Sequence, residues 1–158
     1  ADMQYMFARC CTGTMDSARD VTVQQWYKRQ VFCDQSGPVI NHGLDLYQLA
    51  DWDVSRVTDM KKLFYEAHLF NQDLSKWDVS RVANMGAMFC DARSFNQDLS
   101  DWDVSRVIDM RGMFQGAKSF RQTLCGAAWV HSNASKNGMF ANSRGSISNT
   151  VSGVWLLK

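Results

Sequence analysis

Between Asp51 and Phe120 the apolar positions return every 25 residues. The segment DWDVSRV at 51–57 comes back as KWDVSRV at 76–82 and as DWDVSRV at 101–107, and FNQDLS occurs at 70–75 and at 95–100. Residues 70–94 laid on 95–119 are identical at 17 of 25 positions. The columns are Trp52, Trp77, Trp102; Val54, Val79, Val104; Val57, Val82, Val107; Met60, Met85, Met110; Leu63, Met88, Met113; Phe64, Phe89, Phe114; and Ala67, Ala92, Ala117. Upstream, Leu49 matches Leu74 and Leu99, but Asp45 stands where the others have Phe70 and Phe95. Downstream, Phe120 and Leu124 keep the register, and Trp129, Met139 and Phe140 read as the same signals after small insertions. Self-similarity at this period marks a repeat architecture with partial units at both ends.

Within a unit the period changes. Leu74, Trp77 and Val79 end in an alternation that predicts a short strand with one buried face. Val82, Met85, Phe89 and Ala92 follow at spacings of three, four and three, which predicts a short helix. Ser80 is its candidate N-cap, and Asp59 and Asp109 fall in the first turns of their helices. One strand and one helix cannot bury their own apolar face, so neighbouring units must stack. The expected class is α/β, a short leucine-rich-repeat-like solenoid in which strands paired in register put identical residues about 4.8 Å apart. Residues 1–44 form an N-terminal extension with a capping helix at 17–33, started by Ser17 and Asp20 and left through Gly37-Pro38. Residues 45–124 form the solenoid. Residues 125–158 form a degenerate last repeat and C-terminal cap, with 131–149 read as loop and 151–157 as a last strand or a docking tail.

Composition changes this picture little. The 158 residues suit one domain. Six Trp, nine Met and nine Phe against one Pro are largely accounted for by the columns, so they read as stacked core and not as a base-stacking or cofactor surface. A net charge of +1 argues against a nucleic-acid binder. No apolar run approaches the roughly 20 residues of a membrane-spanning helix. The chain begins at Ala1 without a signal-like segment and is expected to be a processed or trimmed form, leaving open a secreted, surface or organellar location. Five cysteines, Cys10, Cys11, Cys33, Cys90 and Cys125, are an odd number and fit no zinc spacing. They read as buried thiols, with Cys10 or Cys11 bonded to Cys33 as the alternative in an oxidising compartment. The Asn-x-Ser triplet at Asn133 decides nothing about secretion.

The conspicuous polar columns are Asp53, Asp78, Asp103 and Arg56, Arg81, Arg106. One reading is a charge ladder that sets repeat register. The other is a binding face made by the outward positions Asp51, Asp53, Ser55, Lys76, Asp78, Ser80, Asp101, Asp103 and Ser105, an acidic surface suited to a basic protein segment. Calcium needs oxygens converging on one point, which a flat carboxylate ladder does not supply. Asn71 and Asn96 are expected to bond turn backbone. His42, His68 and His131 have no partner at ligand spacing, and no nucleophile, paired-acid or phosphate-loop signature occurs. The expectation is a non-enzyme without metal or cofactor.

The pattern FNQDLSxWDVSRVxxMxxMFxxAxxF over residues 45–124 resembles the repeat of BspA-like leucine-rich-repeat surface proteins, in its algal or protist form. The resemblance implies an α/β solenoid with binding or adhesive roles and no catalytic centre. The array is short beside a surface adhesin's, and about half of the chain lies outside it. Three functions follow as expectations: a protein-interaction scaffold working through its repeat face and its ends, a secreted or surface adhesin, or an accessory subunit of an organellar membrane complex such as an algal photosystem.

Overall fold

In the computed structural model, residues 53–151 are described. Their defining feature is how each 25-residue coil meets the next. Asp59, Asn84, Asp109 and Ser135 are joined side by side by parallel bridges. From Met60, Lys62, Phe64 and Glu66 the N–H groups leave the coil and donate to the carbonyls of Asn84, Gly86, Met88 and Cys90, at 2.8–3.0 Å. The intervening N–H groups of Leu63, Tyr65 and Ala67 bend back to the carbonyls of Met60, Lys62 and Phe64. The N–H of Lys61 is taken by Asp59 Oδ1 at 2.8 Å. Every N–H from 60 to 67 is thereby satisfied, alternately inside its own coil and on the next, as burial of the surrounding side chains requires. The same pattern repeats from Met85, Ala87, Phe89 and Asp91 to the third coil, and from Met110, Gly112, Phe114 and Gly116 to the fourth.

The helix expected over Val82–Ala92 is therefore replaced by consecutive β-turns, Met85–Met88, Ala87–Cys90 and Phe89–Ala92. The third residue of the first and last of these, Ala87 and Asp91, has a φ of 54° and 56°, as type II turns demand. Equivalent positions are Lys62 and Glu66, Gly112 and Gly116, and Gly138 and Asn142, all with positive φ. Turns closed between residues i and i+3 put apolar residues at their corners, and corners three and four apart match a helical stripe in spacing. Asp59 and Asp109 accordingly cap turns, not helices, by accepting the N–H groups of Lys61 and Arg111, and Ser80 is no N-cap but donates its own N–H to Asp78. The strand expected at Leu74–Val79 is also absent: Trp77 N–H closes a turn on Leu74 at 3.0 Å. The elements assigned among the described residues are β1 (Thr123–Leu124), α1 (Ala127–Val130) and β2 (Ser146–Ile147), with β1 and β2 parallel. The expected capping helix at 17–33, Cys10, Cys11 and Cys33, and the tail from Ser152 onward lie outside the described residues.

Inside the coils the columns make a continuous core from Val54 to Met139. Phe64, Phe89, Phe114 and Phe140 stack at 5.4, 5.5 and 5.6 Å, with rings within 9° of parallel. Phe70, Phe95 and Phe120 form a second column, each 4.0–4.1 Å from its partner in the first. Trp102 and Trp129 are fully buried and spend their single donor on the coil before: Trp102 Nε1–H on the Leu74 carbonyl at 3.0 Å and Trp129 Nε1–H on that of Leu99 at 2.7 Å. Trp129 does this from α1, although it stands 27 residues after Trp102 instead of 25. Gly126, just before α1, permits that detour, since a Cβ there would run into the Ser100 carbonyl.

Candidate functional site

The sequence expects the binding surface at the Asp-x-Ser positions, and the local chemistry of that tripeptide determines its geometry. An Asp side chain readily accepts the N–H two residues on. Asp53, Asp78 and Asp103 each accept the N–H of Ser55, Ser80 and Ser105 at 3.0 Å. The Ser hydroxyl and then the N–H hold these carboxyls below their ordinary range. Asp73 and Asp98 likewise accept the N–H groups of Ser75 and Ser100, at 2.8 and 2.9 Å, making a second acidic column that the repeat pattern had not singled out. Asp53 opposes the ionisation of Asp78, and Asp78 that of Asp103, so the charges sit close enough to feel one another.

Asp53, Arg56, Lys76, Asp78, Arg81, Asp101, Asp103, Ser105 and Arg106 are exposed, and Ser55 and Ser80 are half-buried. Asp51 lies outside the described residues. The structure thus brings the Asp column together as a strip of oriented carboxylates. It does not bring the Arg column into ion pairs with that strip: the ion pair among the described residues is Arg111 with Asp109, at 2.7 Å. Arg111 holds the Asp109 carboxyl down at about 2, chiefly through its side-chain hydrogen bonds.

Register is marked by amides. Asn71 Oδ1 accepts the N–H of Asn96 at 2.9 Å and Asn96 Oδ1 that of Arg121 at 2.8 Å, while Gln97 and Gln122 reach back to the carbonyls of Asn71 and Asn96. Asn71 and Asn96 therefore bond backbone, but the backbone of the next coil. Asn84 separates Asp59 from Asp109 in the bridging column and donates to Asp59 Oδ2 at 3.3 Å.

At its Ser105 end the strip runs into a cleft of about 280 Å³ lined by Ser105, Val107, Ile108, Ala128, His131, Ser132 and Asn133. Ile108 is 72% exposed there. It stands where the other units have Thr58 and Ala83, and that apolar departure from a polar or small column is the signal for the cleft in the sequence. His68 is not part of either feature; its Nδ1 sits 2.9 Å from the Asp91 carbonyl. Burial pushes the Cys90 thiol up, away from the thiolate a nucleophile needs. Cys125 Sγ lies 3.6 Å from Ser100 Oγ. Among the described residues no three His, Cys, Asp or Glu side chains gather as a metal site, and no helix is long and apolar enough to cross a membrane.

A family model described as "Mycoplasma protein of unknown function, DUF285" matches residues 40–153. No curated protein and no solved structure is matched by the chain.

Proposed function

The chain belongs to this family, whose model runs over most of its length, and from that premise we propose that it is a non-catalytic protein-interaction module. In this reading the chain is a short leucine-rich-repeat-like solenoid of the BspA-like kind, and it binds a partner through its repeat face and its ends. The repeats FNQDLSxWDVSRV support the finer family assignment. One observation carries the functional reading: Asp53, Asp78 and Asp103 form an exposed strip, ionised and fixed by Ser donors, with Arg56, Arg81 and Arg106 near enough to favour the charges but not in salt-bridge contact with them. A strip of fixed, exposed carboxylates outside salt-bridge contact has little use in stability and much in steering and orienting a partner of opposite sign. The cleft beside it, lined by both apolar and polar side chains, offers room for a docking side chain. The partner that fits both is a basic polypeptide segment carrying one apolar residue.

The test is the double variant Asp78→Lys, Asp103→Lys. Proteins retained from an extract of the source cell by the immobilised wild type are compared with those retained by the variant, quantitatively and at matched salt. Loss of the retained set with an unchanged melting temperature is expected. Retention of the same set by the folded variant refutes the acidic strip as the binding face.

A further inference from the structure

One motif of the sequence is absorbed neither by the acidic strip nor by the coil contacts. It is Asn133-Ala134-Ser135, the single Asn-x-Ser or Asn-x-Thr triplet of the chain. The triplet alone says little, but the fold sets Asn133 apart from Asn71, Asn84 and Asn96. Those three spend their side-chain amides on structure: Asn71 and Asn96 on the backbone of the coil that follows, Asn84 on Asp59 Oδ2 and on the Gly86 N–H. Asn133 is exposed, and among the described residues its amide has no partner. Ser135 is exposed too, and its hydroxyl is equally unpartnered there. The backbone beneath them is held. Ser135 donates its N–H to the Ile108 carbonyl at 3.0 Å, and its own carbonyl accepts the Met110 N–H at 2.8 Å. Ala134 gives its N–H to Ser132 Oγ at 3.2 Å, and Lys136 Nζ donates to the carbonyls of Ser132 and Ala134. The loop after α1 is thus a fixed mount whose bonds leave the side chains of Asn133 and Ser135 unused.

We propose that Asn133 is a glycosylation site whose side-chain nitrogen carries an N-linked oligosaccharide. An Asn two residues before a Ser or Thr is the acceptor pattern, and the attached glycan is bulky and hydrophilic, so the folded chain must leave it in solvent. Asn133 meets that demand without losing a bond, whereas a glycan on Asn71, Asn84 or Asn96 would break a contact that holds the coils. The donor is an oligosaccharide carried on a lipid pyrophosphate. Nδ2 of Asn133 forms a bond to the anomeric carbon of that sugar. The bond from the same carbon to the pyrophosphate oxygen breaks, the lipid pyrophosphate leaves with the electron pair, and the amide proton passes to a base of the transferase. The Ser135 hydroxyl, free beside the acceptor, is the group by which the transferase recognises the triplet. The modification goes beyond the protein-interaction reading and does not depend on the acidic strip. Asn133 also lines the cleft at Ile108, so its glycan would flank that cleft. It takes the chain through a compartment that holds the transferase, as the secreted or surface reading of the sequence requires.

The test uses the full chain isolated from its source cell. Trypsin releases residues 122–136, a peptide in which Asn133 is the one asparagine. A peptide-N-glycosidase acting in heavy-oxygen water turns a glycosylated asparagine into heavy aspartate. Mass spectrometry should find that label at Asn133 after the enzyme and not without it. Asn133 recovered as plain asparagine with and without the enzyme overturns the proposal. In the same cell Ser135→Thr should keep the glycan and Ser135→Ala should lose it, and a glycan that persists in the folded Ser135→Ala protein overturns the assignment to this triplet. The wild-type measurement needs no variant and stands if Ser135→Ala fails to fold. The Asp78→Lys, Asp103→Lys protein should carry the same label as the wild type, so failure of the acidic strip and failure of this site are read separately.

Discussion

Ala87→Gly tests the central feature of the coils by the sign of its effect. Ala87 is the third residue of the turn Met85–Met88 and holds a φ of 54°. A left-handed conformation costs an L-residue roughly 1–2 kcal/mol. Glycine escapes that cost but loses roughly 0.5–1 kcal/mol of extra chain entropy on folding. The difference predicts that Ala87→Gly stabilises the protein by about 0.5–1 kcal/mol, which for a chain of this size raises the melting temperature by about 1–4 °C. The reciprocal change is available one coil later, where Gly112 has a φ of 62°. A Cβ at Gly112 would sit 3.1 Å from Gln115 Oε1, the movable end of a side chain, so Gly112→Ala tests the backbone with little added clash. It should destabilise by a similar amount. Thermal and urea unfolding followed by circular dichroism measure both. Were residues 82–92 helical, Ala87→Gly would instead cost about 1 kcal/mol. A loss of that size refutes the tandem-turn account.

Three further outcomes follow from the packing and the charges. Phe89→Ala, at the fully buried middle of the phenylalanine columns, should cost about 3–5 kcal/mol, and Phe140→Ala, half-buried at their end, clearly less; equal losses in urea titrations contradict the stacked array. Trp102→Phe should cost about 1–2 kcal/mol, because the Leu74 carbonyl loses the indole donor but keeps the Trp77 N–H; a loss within about 0.5 kcal/mol of zero contradicts the indole bond. The Asp109 carboxyl is held at about 2 in the folded chain, against an ordinary 3.8, so the folded state favours its ionised form. Its contribution is present above about pH 4 and lost as pH falls towards 2. Arg111→Ala should raise the Asp109 pKa in a carboxyl NMR titration, and the stability gap between the two proteins should close over that same interval; an unmoved pKa refutes the pair.

The columns were legible because burial acts on residue type directly: Val79, Val82, Met85, Met88, Phe89 and Ala92, read as inward from their period, are all buried. The local conformation was not legible from that period. Corners of successive β-turns and one face of a helix both place apolar residues three and four apart, so spacing alone cannot separate them. The discriminating signal was present but faint. Gly112 and Gly116 stand four apart at the positive-φ positions, yet the same places hold Lys62 and Glu66, and Ala87 and Asp91, which carry no turn signature. The Asp-x-Ser tripeptides were the other clue, since Asp53, Asp78 and Asp103 cap turns by a rule of local chemistry. They stood out as charges before they stood out as turns. The cleft at Ile108 depends on how α1 and the loop after it fold back beside the third coil, which no periodicity encodes.

The alternation of N–H groups between their own coil and the next also governs how the molecule comes apart. Among the described residues each coil is tied to the coils beside it, so their cohesion is a sum of nearest-neighbour contacts. Among the described coils the first and the fourth each have one described neighbour, and the second and third have two. Local opening free energies should therefore rise towards the middle of the described array. A substitution weakens its own coil and the two it touches, and leaves more distant coils nearly as stable as before.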